Sequence, residues 1–236
     1  MGQVRPLYLE DSYLKEFTAK IEETKDGRYL ILDNTAFYPE SGGQPADTGT
    51  MAKDGKEYKV TSVRKMDGKI CHDVEPGLAA GDTVHCRIDW ARRYRLMQMH
   101  TATHILAAVL YKDAGALITG NQLNLDRTRI DFSMDEFDKE KILGYVEKAN
   151  AIAAKGIEVK ISFLPREEAM KIEGAVKLAA ALPPNISELR MLEIPGVDLQ
   201  ADGGTHVRNT SEVGKIRFLE AENKGKKNRR IYFTLE

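Results

Sequence analysis

At 236 residues and 42% hydrophobic content, the chain can build one large domain or two modest ones, with a core of ordinary size. No run approaches the roughly 18 to 20 apolar residues of a bilayer span, and the opening residues "MGQVRPLYLEDSYLKEF" carry acids where a signal peptide needs an unbroken apolar stretch, so a cytoplasmic protein without a membrane partner is expected. The formal net charge of −1 announces no polyanionic partner, and any nucleic acid would have to be met by a local basic patch.

From residue 12 to 90 the pattern is one of short alternating stretches, "LILDNTAFY", "KEYKVTSVRKM", "KICHDVE" and "TVHCRIDW". They are separated by the turn signals Lys25-Asp26-Gly27, Lys53-Asp54-Gly55 and Met66-Asp67-Gly68, which predicts a small antiparallel β-barrel or sandwich. The two cysteines, Cys71 and Cys86, fall inside these strands without CxxC spacing, and read as buried free thiols. Within the same region "FYPESGGQPADTG" breaks the alternation. Pro39, Gly42-Gly43 and Pro45 impose an irregular backbone, while Glu40, Ser41, Gln44, Asp47 and Thr48 give it a polar face, as in an Ω-type loop joining strands.

At residue 91 the period changes. "ARRYRLMQMHTATHILAAVLYKDAG" and "SMDEFDKEKILGYVEKANAIAAKG" show the three-to-four-residue recurrence of helices, the second with Ser133 as N-cap and Glu136 completing a capping box. Strands are expected again at 117–133, 157–164, 189–194, 214–221 and 229–235, and "AENKGKKNRR" reads as a hairpin loop between the last two. The predicted fold class is therefore α+β: an all-β domain over residues 1–90, then an α+β domain over 91–236 with an antiparallel sheet packed on helices.

The first of those helices carries His100 and His104 one turn apart. Neutral imidazole is a common metal ligand, and an i, i+4 pair sets both rings on one helix face, half of a zinc site. The same pair also suits imidazoles that hydrogen-bond within a core, and the spacing alone does not choose. Of the remaining histidines, His72 and His85 alternate through strands, whereas His206 lies in the Gly-rich stretch "VDLQADGGTHVRNTSEVG", four residues after Asp202. Gly-Gly lets a backbone approach a ligand closely, and a tight turn with a polar cap would use the same residues. The donor types allow a tetrahedral Zn2+ held by His100, His104, His206 and either Asp202 or a water.

Three segments taken together, "FYPESGGQPADTG", "IDWARRYRLMQMHTATHILAAVL" and "DGGTHVRNTSEVG", resemble the editing region of alanyl-tRNA synthetases and the freestanding alanyl-tRNA editing proteins of the AlaX type. The resemblance runs from about residue 10 to 236, and with its N-terminal β domain the chain resembles the medium-length members. It implies a zinc-dependent aminoacyl-tRNA hydrolase that deacylates mischarged tRNA(Ala), chiefly the seryl ester and secondarily the glycyl one. It also implies zinc at HxxxH and at a second motif usually written CxxxH, whose histidine is His206; here Asp202 stands in the cysteine slot, with Gln200 a weaker substitute. Thr119 in "GALITGNQL" resembles the threonine that reads the seryl hydroxyl, with Thr101 and Thr103 as alternatives. Gln44 resembles the residue that positions substrate from the N-terminal domain.

Phosphate contacts for the tRNA are expected from Arg92, Arg93 and Arg95 before the histidine helix, from Arg127 and Arg129, and above all from Lys224, Lys226, Lys227, Arg229 and Arg230 in the late hairpin. Two other classes compete with the hydrolase. One is a non-hydrolytic tRNA-binding module, to which the Asp202 departure points; the other is a metallohydrolase of small acylated compounds.

Overall fold

The computed structural model describes residues 4–134, 138–172, 186–225 and 227–236. The chain divides into two compact units, Met1–Leu96 and Met97–Glu236. The α+β class expected from the sequence is observed.

In the first unit, β1 (Arg5–Pro6), α1 (Leu7–Glu10) and β4 (Asn34–Thr35) are short; β1 and β4 pair in parallel. The other strands, β2 (Glu16–Lys25), β3 (Tyr29–Leu32), β5 (Gly49–Lys53), β6 (Lys56–Met66), β7 (Lys69–Val74) and β8 (Thr83–Ile88), close into a barrel in the order β2-β3-β7-β6-β5-β8. Closure leaves no unpaired edge. The period-two pattern does the packing: Phe17, Ala19 and Ile21 of β2 and Val84, Cys86 and Ile88 of β8 point inward and are buried, while their neighbours face outward.

The three Asp-Gly pairs are the hairpin turns. Asp26, Asp54 and Asp67 have φ of 54°, 50° and 51°, and each is followed by a glycine with positive φ, the signature of type I′ turns that match strand twist. Ser41-Gly42-Gly43-Gln44 uses the same device: φ is 57° and 82° at the two glycines, and Ser41 and Gln44 exchange backbone hydrogen bonds of 3.2 and 2.9 Å. The Pro-Gly loop therefore contains an ordered miniature hairpin.

Asp47, read from the sequence as part of a polar loop face, points inward instead. It accepts the Tyr38 N–H at 2.6 Å and pairs with Arg93, and neither residue has any solvent exposure. The Arg93 guanidinium also donates to the carbonyls of Ser12 and Ala36.

Helix α2 (Trp90–Ala114) begins in the first unit and continues into the second. Asp89 caps it, accepting the Arg92 N–H at 3.1 Å through its side chain, and Gly115 with φ 60° ends it. From Leu96 to Leu110 every residue but Gln98 is buried, the polar His100, Thr101, Thr103 and His104 among them.

The rest of the second unit holds two antiparallel sheets. One has the order β14-β15-β10-β9, built from β9 (Leu117–Gln122), β10 (Thr128–Ser133), β14 (Ile216–Asn223) and β15 (Asn228–Leu235). The other has β11 (Lys160–Pro165), β12 (Glu188–Ile194) and β13 (Asp198–Ala201) in that order. Helix α3 (Lys139–Ala153) packs on β14 through Ile142, Val146, Ala149 and Ala153, and α4 (Arg166–Ala169) follows β11.

Three details differ from the sequence reading. The stretch 117–133 is two strands joined by a turn. Ser133 ends β10 instead of capping a helix, and α3 is capped by Asp138, which accepts the Glu140 and Lys141 N–H groups; Glu136 lies outside the described residues. Strand β13 was not anticipated, because four residues are too few to show a period.

Candidate metal centre

Two pieces of backbone bring the site together within the second unit. Helix α2 presents His100, Thr101 and His104, and the segment leaving β13 presents Asp202 and His206. That segment is pinned at both ends. Asp202 N–H donates to the Arg190 carbonyl at 3.1 Å, and the buried Arg190 guanidinium returns a 2.8 Å bond to the Asp202 carbonyl. Downstream, Arg208 and Thr210 exchange backbone bonds with Val159 and Ile157, and Asn209 caps a 3-10 helix at Thr210–Val213 through a capping box with Glu212.

Between these anchors the chain turns sharply. Asp202 Oδ1 accepts the Gly204 N–H at 2.6 Å, an Asx-turn, and a methyl group at Gly204 would overlap the His100 ring. Gly203 meets nothing within 4 Å. Only the second glycine is required by close approach.

The side chains converge. His206 Nε2 lies 2.9 Å from Asp202 Oδ1, and the Nε2 atoms of His100 and His104 lie 3.6 and 3.7 Å from Asp202 Oδ2. One ligand-type atom from each of the four residues falls within 4.8 Å of all the others. A tetrahedral ion with bonds of about 2.0–2.2 Å separates its donors by about 3.3 Å, so this spacing brackets what an ion needs after a small contraction. His100, His104 and His206 are buried.

The electrostatics suit the same use. Burial holds His100 well below the ordinary histidine range and pushes His206 down to about 4, so both rings are neutral. Burial acts the same way on His104, but its hydrogen bonds to Asp198 and Asp202 win and raise it to about 9, so this ring releases a proton when Nε2 becomes a ligand. Burial opposes ionisation of Asp202, yet the surrounding His100, His104 and His206 keep it well below the usual carboxylate range. Two neutral imidazoles, a third backed by a carboxylate, and an ionised aspartate form a set that could hold a divalent metal.

Comparison with known proteins bears on what such a centre serves. The family model described as "Threonyl and Alanyl tRNA synthetase second additional domain" matches residues 189–232, and that described as "tRNA synthetases class II (A)" matches 9–92. The chain is 48% identical to the Alanyl-tRNA editing protein AlaX-M of Methanosarcina acetivorans, over 97% of this chain and 98% of that one. It is 46% identical to the AlaX-M of Saccharolobus solfataricus, over 98% of both. The chain belongs to the AlaX-M family of alanyl-tRNA editing proteins. It is also 40% identical to the alanine–tRNA ligase of Thermococcus kodakarensis, matching 94% of this chain but 24% of that enzyme.

The remaining residues singled out in the sequence fare unevenly. Thr101, fully buried, lies 3.3 Å from His206 Nδ1 and accepts the Val207 N–H at 3.3 Å, so it orients a histidine of the cluster. Thr103 donates back to the Met99 carbonyl of its own helix. Thr119 is exposed on β9, and Gln44 is buried in the first unit. Gln200 does not join the cluster; its amide donates to both oxygens of Asp198.

Among the basic residues Arg93 needs correction, since its guanidinium is consumed by Asp47 and two carbonyls in the barrel unit and reaches no solvent. Arg229 is corrected likewise. Strand alternation turns it inward with Ile231 and Phe233, and it donates to Asn223 Oδ1 and to the Gly225 and Asn228 carbonyls, tying the hairpin turn. Arg230 forms a two-pronged pair with Asp131 at 2.6 and 3.1 Å, and Arg92 is half-buried with its Nε on the Ala46 carbonyl. Lys227 is exposed at the turn, and Lys226 lies outside the described residues. Among the described residues no helix is long and apolar enough to cross a membrane.

Sequence reasoning missed Asp198. Its signal was present in "DLQAD", where Asp198, Gln200 and Asp202 alternate as residues on one face of a strand do.

Proposed function

We propose that the chain is a zinc-dependent trans-editing hydrolase that removes serine, and to a lesser degree glycine, from mischarged tRNA(Ala) in the cytoplasm. The observation that carries this reading is the convergence of His100, His104, Asp202 and His206 in a chain of the AlaX-M family. Three imidazoles and one carboxylate match zinc's preference for nitrogen and oxygen donors in four-coordinate sites. Zinc bound there would supply Lewis-acid polarisation of an ester carbonyl or of a water.

The protein's own part is to hold and select. An aminoacyl ester is already labile, so positioning it against a water in a buried site supplies much of the rate. Thr119, an exposed residue of β9, is proposed to meet the seryl hydroxyl; alanine, with only a methyl to offer, would leave that group unpaired and be rejected. Thr101 is less suited, because His206 and Val207 already engage its oxygen. Gln44 is proposed to position substrate, and Arg92, Lys226, Lys227 and Arg230 to contact tRNA phosphates.

The test is deacylation of seryl-, glycyl- and alanyl-tRNA(Ala) by metal-replete protein, with metal content measured on the same sample. The expected result is one zinc per chain and release of serine well ahead of alanine. No release of serine with tRNA still bound would leave a binding module. Release from a bare seryl ester that is no faster from the tRNA would indicate a hydrolase of small acylated compounds.

A further inference from the structure

His104 stands between two carboxylates. Its Nδ1 lies 2.9 Å from Asp198 Oδ2, and its Nε2 lies 3.7 Å from Asp202 Oδ2. An ionised carboxylate only accepts, so Nδ1 carries the hydrogen in that bond and Nε2 is left to face the cluster. Asp198 is itself held. Its side chain is 5% exposed, and Gln200 Nε2 donates to its two oxygens at 2.9 and 2.7 Å.

The backbone explains why both carboxylates meet one ring. In a strand, residues two apart share a face, and β13 is fixed in register by Ile194↔Asp198 and Leu192↔Gln200. Asp198, Gln200 and, one step beyond the strand, Asp202 therefore lie along one line. The contrast with His206 is informative. Its Nδ1 meets the neutral hydroxyl of Thr101, at 3.3 Å. A buried carboxylate is costly to maintain, and this one is held by the Gln200 amide while it faces the His104 imidazole. With Asp202 alone, a bound dication would leave one positive charge in the cluster; Asp198 supplies the second negative charge.

We propose that Asp198, clamped by Gln200, is the positioning residue of the metal centre: it locks His104 in the Nδ1-protonated form, aims Nε2 at the cluster beside Asp202, and strengthens that ring as a ligand. The inference rests on the zinc reading of the cluster. It does not require Asp198 to touch metal or substrate.

The experiment uses the full-length protein stripped of metal, titrated with zinc against a chromophoric chelator, and separately loaded with cobalt to record the visible spectrum. Asp198→Asn keeps the shape and removes the charge; its zinc dissociation constant is expected to rise about 10- to 100-fold, with an altered cobalt spectrum and an unchanged circular dichroism of the metal-free chain. Gln200→Leu leaves the carboxylate but frees it, and a smaller weakening in the same direction is expected. If Asp198→Asn does not fold, Gln200→Leu decides. A dissociation constant within about twofold of the parent's in the deciding variant overturns the proposal while leaving the zinc reading intact. A parent chain that takes up no zinc overturns the zinc reading and the proposal with it.

Discussion

Asp202 Oδ1 and His206 Nε2 lie 2.9 Å apart, joined across a four-residue turn whose tightness is set by the Asx bond from Asp202 to the Gly204 N–H. The carboxylate therefore faces all three imidazoles of the cluster, with its second oxygen 3.6 and 3.7 Å from the two helix histidines.

Asp202→Cys follows directly from that placement. A thiolate keeps the negative charge but is the softer donor and suits zinc better than a carboxylate does. Zinc is expected to bind at least about tenfold more tightly, worth about 1.4 kcal/mol, and the cobalt form should gain a sulfur-to-metal charge-transfer band. Competition with a chelator and an absorption spectrum check both. An unchanged affinity with no new band would place Asp202 outside the ligand set.

The buried pair in the barrel unit makes a different prediction. Arg93 and Asp47 are both without solvent exposure, so removing one leaves the other as an uncompensated charge. Arg93→Met is expected to cost about 3–5 kcal/mol of stability, measured by urea unfolding followed through Trp90, the only tryptophan of the chain, which lies in the same unit. If Arg93 were instead a phosphate contact, the variant would fold normally and show a shallower salt dependence of tRNA binding.

His72 gives the barrel a defined pH response. Its Nδ1–H donates to the Leu30 carbonyl at 3.0 Å. Its Nε2 accepts from Thr35 Oγ1 at 2.8 Å, and that hydroxyl oxygen in turn accepts the Phe37 N–H, so every polar atom is satisfied only in the neutral ring. Burial lowers its pKa from 6.5 to about 4. A depressed histidine binds its proton more readily in the unfolded chain, so stability is full above about pH 6.5 and declines as pH falls from there to about 4, by about 3 kcal/mol at the lower end. Urea unfolding by Trp90 fluorescence between pH 4 and 7 checks it. His72→Gln should be less stable at pH 7 but should lose that part of the slope; an undiminished slope would assign it to other groups.

These cases show what the sequence made legible. The Asp-Gly turns could be read because type I′ geometry demands those residues locally, and His100 with His104 because helical spacing is local too. Arg93 was misread because its partner lies 46 residues away, and a charged residue in a sequence carries no mark of whether a buried counter-ion awaits it. Arg229 was misread for a related reason: which arginine of an Arg-Arg pair turns inward depends on strand register, set by pairing with β14 and β10. Asp198 escaped notice because β13 has four residues and its role appears only when α2 is laid against it.

The glycine pair offers the sharpest separation of a steric requirement from a flexible loop. A Cβ at Gly203 meets no atom within 4 Å and its φ is not in the left-handed region, whereas a Cβ at Gly204 would collide with the His100 ring and close on Asp202 Oδ1 at 3.0 Å. Gly203→Ala is therefore expected to change stability by no more than about 0.5 kcal/mol and to leave zinc affinity alone. Gly204→Ala should cost about 1–3 kcal/mol, as overpacking does, and should weaken zinc binding as well, since relief of the clash moves either His100 or the turn that carries Asp202. Urea unfolding of the metal-free proteins and chelator competition of the zinc forms read the two effects separately. Equal behaviour of the two variants would mean that the turn is loose enough to absorb a methyl group, and that the close approach of Gly204 to His100 does not constrain the centre.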